Sequence, residues 1–128
     1  MPADRSIPLV IGPGTSIRFD RGDIKAIENV LGIGYRHFAR TGIFGSLTAT
    51  EAFLWRGMRA ENEKGELVHA FPLHDAGKEQ AGDLFMSFMQ DGGDVSLIDT
   101  AILDALVLCG LFRRSTNTQK SEENQPKN

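Results

Sequence analysis

The three histidines of this chain, His37, His69 and His74, are the side chains best suited to bind a transition metal or shuttle protons near neutral pH. His69, His74 and Asp75 lie close together in sequence, but the five-residue offset between the histidines is not the i, i+4 pair that a helix presents to zinc. No cysteine is nearby and Pro72 interrupts the segment. They are read as solvent-facing or helix-capping, and no metal is expected. Cys109, the lone cysteine, falls in the most apolar part of the chain, and no serine stands in a Gly-x-Ser-x-Gly elbow, so nucleophilic catalysis is not expected either. A small buried hydrophobe in a reducing cytosol is the expected state of Cys109. Carboxylates pair at Asp20/Asp23, Asp91/Asp94 and Asp99/Asp104. The first two pairs sit at expected helix starts, where the helix dipole favours anions.

Gly32-Ile33-Gly34 lacks the Gly-Lys-Ser/Thr of a phosphate loop and follows a helix, whereas a dinucleotide fingerprint follows a strand. No cofactor and no enzymatic activity are expected. Arg21-Gly22-Asp23 spells a cell-adhesion tripeptide but falls in a predicted helical turn, and chance explains it. Arg36 and Arg40, four residues apart beside Tyr35, His37 and Phe38, are the best candidates for touching nucleic acid. Against them stands the charge. The formal net charge is −3, and up to Phe112 ten basic residues face fifteen acidic ones, which makes that body −5. Such a body repels phosphate backbones, and neither nucleic acid nor membrane is expected as a partner.

The elements that position these groups follow from periodicity. Ile7–Ile11 and Thr15–Phe19 are β-prone runs separated by Gly12-Pro13-Gly14, which predicts a hairpin with Pro8 holding the first strand at an edge. Asp20 caps a helix predicted from Arg21 to Leu31, with Ile24, Ile27, Val30 and Leu31 at helical spacing and Gly32 as the stop. The glycine-rich stretch from Gly32 to Ser46 is expected to be a partly helical crossing whose aromatics pack on the core. Thr48 and Glu51 have capping-box spacing, and a helix is expected from there to about Arg59 or Ala60. Glu61 to Glu66 reads as a charged connector. Asp75 is the expected cap of a helix to Met89 or Gln90, with Ala81, Leu84, Phe85, Phe88 and Met89 inward. Asp91-Gly92-Gly93-Asp94 then breaks the chain.

The closing helix, predicted from Val95 to Phe112 with Asp94 or Ser96 as its cap, carries the strongest signal. Ser96, Asp99, Thr100 and Asp104 form one wet face. From Ala105 to Phe112 every direction around the axis is apolar or glycine, so protein must surround the last two turns. Leu106, Leu108, Leu111 and Phe112 are therefore candidate interface residues. The alternative, that they centre the monomer's own core, weighs equally. A transmembrane reading is rejected because Asp99 and Asp104 would each cost about 2.5–3.5 kcal/mol at mid-bilayer. The first residues carry one charge of each sign and no long apolar run, so neither a secretory nor a transit signal is expected. The prediction is one α+β, predominantly α-helical domain over residues 1–112: a short N-terminal β-hairpin, then about four helices. Residues 113–128 lack aliphatic and aromatic side chains and are expected to be a disordered polar tail.

The succession Ile24-Lys-Ala-Ile-Glu-Asn-Val-Leu-Gly32, Leu47-Thr-Ala-Thr-Glu-Ala-Phe-Leu-Trp55, Arg59-Ala-Glu-Asn-Glu63 and Ile98-Asp-Thr-Ala-Ile-Leu-Asp-Ala-Leu-Val-Leu-Cys-Gly110 resembles the small tail assembly chaperones of long-tailed bacteriophages and of phage-like gene transfer agents. The similarity spans roughly Ile17 to Leu111. It implies a mostly helical α+β fold, no catalysis and no cofactor. It further implies a role in the host bacterial cytoplasm during virion assembly, where such chaperones coat the tape measure protein and help recruit tail tube protein; a homo-oligomer is expected from the apolar closing helix. Many members are also made in a longer form by frameshifting near the C-terminus. The family fixes no ligand residues, so the interface residues above come from the helix pattern alone. Two alternatives stand beside it: a tail-terminator or connector subunit retained in the particle, and a small helical regulator that binds nucleic acid through Arg36 and Arg40.

Overall fold

A computed structural model describes residues 6–38 and 46–110. The fold is α+β and mostly helical, with four α-helices and a four-stranded antiparallel sheet. The hairpin forms as the turn residues dictate: β1 (Ile7–Pro8) pairs with β2 (Thr15–Ile17), Ile7 opposite Ile17. Gly14, at φ 72°, occupies a left-handed turn position that a side chain would strain. α1 (Arg21–Leu31) starts after Asp20 and ends at Gly32, whose left-handed backbone (φ 70°) lets its N–H reach the Glu28 carbonyl at 2.8 Å. A 3-10 turn, Tyr35–His37, follows and drops Phe38 into the core.

α2 (Leu47–Gly57) is the central helix, with Ala49, Ala52, Phe53, Leu54 and Trp55 all buried, and it packs against α1 and the later α3. It begins two residues earlier than the Thr48/Glu51 spacing suggests. Ser46 is the cap, its Oγ accepting from Ala49 N–H at 3.2 Å, and a serine directly before the first helical turn does what Thr48, already inside it, cannot. It also ends earlier, because the next residues are a strand. Gly57 closes the helix where a β-carbon would stand 2.6 Å from the Phe19 ring and 2.8 Å from Ile17, and Met58 turns directly into the extended conformation.

β3 (Met58–Glu61) and β4 (Leu67–His69) were not expected from the sequence. β3 sits beside β2, with Ile17 opposite Met58, and β4 sits outside it, with Ala60 opposite Val68. The predicted charged connector is the tip of this second hairpin. There Asn62 Oδ1 accepts from the Lys64 and Glu66 N–H groups, and Gly65 takes a left-handed φ of 80°. α3 (Asp75–Gln90) runs over the predicted residues, but His74 is its cap and Asp75 its first residue. Ala81 and Phe85 are buried, while Leu84, Phe88 and Met89 are partly covered. Gly77 and Gly82 let it approach its neighbours: a β-carbon at Gly77 would overlap the Pro72 carbonyl, and one at Gly82 would stand 2.6 Å from Glu51.

α4 (Val95–Leu108) is capped by Asp94, whose carboxylate accepts from Ser96 N–H at 3.0 Å, and it packs on β1 and β2. The core is one cluster joining these elements. At its centre Phe53 meets Phe19 and Phe38 edge-to-face, ring centres 5.8 and 5.4 Å apart. Among the described residues no helix is long and apolar enough to cross a membrane. The predicted tail, residues 113–128, lies outside the described residues.

Candidate protein interface

Two arrangements stand out, one polar and buried, the other apolar and exposed. The polar one centres on Asp23, only 2% exposed. Its position at the third residue of α1 lets Oδ2 accept the Asp20 N–H at 2.9 Å, the capping role its spacing predicts. The rest was not read from the sequence. Oδ2 also takes Arg59 Nη2 of β3 at 2.8 Å, and Oδ1 takes Arg56 Nε of α2 at 3.0 Å and His69 Nε2 of β4 at 2.9 Å. A carboxylate only accepts, so Nε2 of His69 carries the hydrogen. Burial alone would raise the Asp23 pKa. The Asp20 N–H, His69 and Arg59 outweigh it and hold the carboxyl below its ordinary 3.8.

Four donors use the lone pairs of both oxygens, so Asp23 has no capacity left to take a substrate proton. Arg59, 4% exposed, is likewise spent: its Nη1 donates to the carbonyls of Arg56 at 2.7 Å and Gly57 at 3.2 Å. This cluster ties α1, the α2–β3 junction and β4 together. It is a latch, and its chemistry is structural. The sequence signal for it was faint, because Arg56, Arg59 and His69 join Asp23 only through the β3–β4 hairpin.

The apolar arrangement is on α4. Of the predicted interface residues, Leu106 is fully buried in this chain's own core beside Ile98, Ile102 and Ala105. That corrects its assignment: it faces the sheet and cannot meet another molecule. Leu108 is 43% exposed. Leu111 and Phe112 lie outside the described residues, and the helix as described ends at Leu108. The two equal readings of the closing turns thus divide by direction, the inner half being monomer core and the outer half surface. Leu103, 42% exposed, lies on the same outer half about 140° around the axis from Leu108, with Val107 and Asp104 between them in direction, and Leu97 is exposed near the cap.

The wet face read from the sequence is present, with Ser96 and Thr100 exposed and Asp99 and Asp104 partly so. Leu103 and Val107 interrupt it, since at 100° per residue they project between Asp99 and Asp104. One oxygen of Asp99 is buried with no hydrogen-bond partner, and burial pushes its carboxyl above the ordinary 3.8. Cys109 is half-buried, its Sγ–H donating to the Leu106 carbonyl at 3.2 Å. It lines an open cleft of about 480 Å³ with Gly110, Phe19, Ile24 and Tyr35, where Arg21 and Lys25 are balanced by Asp20 and Glu28.

The remaining candidates are dispersed. His74 caps α3, far in role from His69 on Asp23, and among the described residues no three potential ligands gather around a metal position. Arg36 is exposed on the 3-10 turn, and Arg40 lies outside the described residues. No protein-family model matches this chain, and no curated protein or solved structure is significantly similar to it.

Proposed function

We propose that this chain is a tail assembly chaperone of a phage or phage-like particle, non-enzymatic, which binds the tape measure protein through helical apolar surface, assists tail tube assembly and self-associates in the host cytoplasm. Two things support the reading. One is the resemblance running from Ile17 to Leu111. The other, which carries it, is the outer side of the last turns of α4, where Leu103 and Leu108 stay exposed on a helix whose opposite side is fully buried. Large apolar side chains grouped on one surface mark contact with another protein more often than solvent exposure for its own sake. The acidic body keeps such a surface dispersed until its client is made.

The test is co-expression with the tape measure protein of the same phage or phage-like particle. A tagged chain should carry that protein through purification, and Leu108→Asp should abolish the capture while leaving the unfolding free energy within about 0.5 kcal/mol of wild type, as befits a surface position. No capture by the wild type would overturn the proposal. So would the chain's presence in finished particles at stoichiometric amount, which belongs to a terminator or connector subunit.

A further inference from the structure

Resting on the self-association proposed above but on nothing proposed for α4, we infer that a second copy of this chain docks on β4, strand to strand and antiparallel, about a two-fold axis at Val68. The hydrogen-bond ladder points there. Across the second hairpin, Ala70 N–H donates to the Met58 carbonyl and Asn62 N–H to the Glu66 carbonyl, both at 2.9 Å. Antiparallel pairs alternate between bonded and unbonded, so Ala60 and Val68, midway between those two pairs, bond each other as well. Leu67 and His69 therefore turn their N–H and C=O groups away from β3. Neither backbone has a hydrogen-bond partner among the described residues, which leaves two donors and two acceptors in a row on the outer edge.

An open edge takes an extended strand, and the rest of the sheet selects this chain's own β4. The opposite edge is blunted. In β1 the Leu9 N–H bonds the Thr15 carbonyl at 3.0 Å, so Pro8, one residue earlier, is directed outward, and it has no N–H to give. β4 of one copy thus finds a poor match in β1 of the next, which disfavours open chains of sheets and leaves the closed two-fold pair. The register fits such a pair. With Val68 opposite its own counterpart, Leu67 and His69 of each copy meet His69 and Leu67 of the other and exchange four hydrogen bonds. The two exposed valines come together at the close, unbonded position, with Cα atoms about 4.5 Å apart. Charge does not oppose the contact. Leu67, Val68 and Leu73 are exposed, and no lysine, arginine, aspartate or glutamate lies between Glu66 and Asp75. Glu66 is held from its counterpart by four residues of strand, about 13 Å, farther than the screening length of roughly 8 Å at physiological salt. With three strand residues a side against the roughly 20–30 residues of a standard interface, the dimer is a weak one, dissociating at roughly 10–500 μM.

Sedimentation of the full chain from about 10 μM to about 1 mM, with amide exchange read residue by residue by NMR, tests this. The mass should rise from one chain to two and stop there, while exchange at the Leu67 and His69 amides slows with concentration. Val68→Lys sets two ammonium groups against each other at the axis and should raise the dissociation constant at least about tenfold. Leu67→Pro removes one outward donor, as Pro8 does on β1, keeps the bonds between Val68 and Ala60, and should weaken the dimer likewise. Leu108→Asp should leave it unchanged. A monomer throughout, assembly that continues past two, a dimer that survives both β4 substitutions in folded protein, or one that Leu108→Asp dissociates would each overturn the inference. So would full protection of Leu67 and His69 at the lowest concentration, since another part of the same chain would then cover the edge. Tape measure capture is scored apart from this. If the wild type captures its client but stays monomeric, only the β4 pairing falls; if it pairs through β4 but captures nothing, the pairing stands and the chaperone reading falls.

Discussion

Replacing Asp23 by alanine removes one small side chain and strands three others. The Arg59 guanidinium, 4% exposed, loses its 2.8 Å partner, and Arg56 and His69 lose theirs at 3.0 and 2.9 Å. Breaking a buried pair by deleting one member costs about 3–5 kcal/mol, because the remaining charge stays desolvated. The lower end applies here. Arg59 keeps two carbonyl acceptors through Nη1, and the exposed Asp20 carboxylate, 3.6 Å away, is a partial substitute. Loss of the reciprocal bond to the Asp20 N–H adds roughly 0.5–1 kcal/mol, so about 3–4 kcal/mol is expected in all. Urea unfolding followed by the single tryptophan, Trp55, should show the midpoint falling by roughly 1–3 M at an unchanged slope. The pH dependence carries the same signature. Because the folded pKa of Asp23 lies below its unfolded 3.8, the stabilisation is complete above that value and disappears as the pH falls through the lower one. Wild type should therefore lose stability below about pH 4 more steeply than Asp23→Ala. A loss under about 1 kcal/mol at pH 7, or identical acid limbs, would refute the latch.

Three further outcomes follow from the packing. Leu106→Ala should cost about 2–5 kcal/mol and Leu103→Ala no more than about 0.5 in the same urea assay, since the first empties core volume and the second leaves the surface. Asp99→Asn should raise the melting temperature at pH 7: its carboxyl titrates above the unfolded value, so its charge opposes folding as pH rises past that point, and scanning calorimetry reads the gain. Gly77→Ala should destabilise by at least about 1–3 kcal/mol in chemical denaturation, because its methyl must displace the Pro72 carbonyl, which also accepts the Trp55 indole N–H at 2.8 Å.

How far the sequence reaches is clearest where local signals act alone. α1 came out residue for residue, because Asp20, the Ile24 and Ile27 spacing and Gly32 are all written within one short stretch. β3 and β4 did not. Met58 keeps helical spacing with the apolar block Ala52–Trp55, so local pattern extends the helix past Gly57, whereas pairing with β2 and the close approach of Gly57 to Phe19 and Ile17, residues distant in sequence, mark the change to a strand. With that hairpin unseen, Arg59 and His69 had no visible route to Asp23, and a carboxylate at the hub of four donors read as an ordinary cap. On α4 the pattern showed that the closing turns are apolar all round but could not assign directions. That needed the sheet, which takes Leu106 inward and leaves Leu103 and Leu108 facing out.

The division of α4 into a buried inner side and an exposed outer side, and the proposal that the outer side is where the client binds, are open to a direct measurement. In a Cys109→Ala background, Leu103→Cys and Leu108→Cys variants are exposed to a thiol reagent alone and in complex with the tape measure protein. Both positions should react rapidly in the free chain and become protected on binding. Undiminished labelling in the complex at both positions would contradict the account.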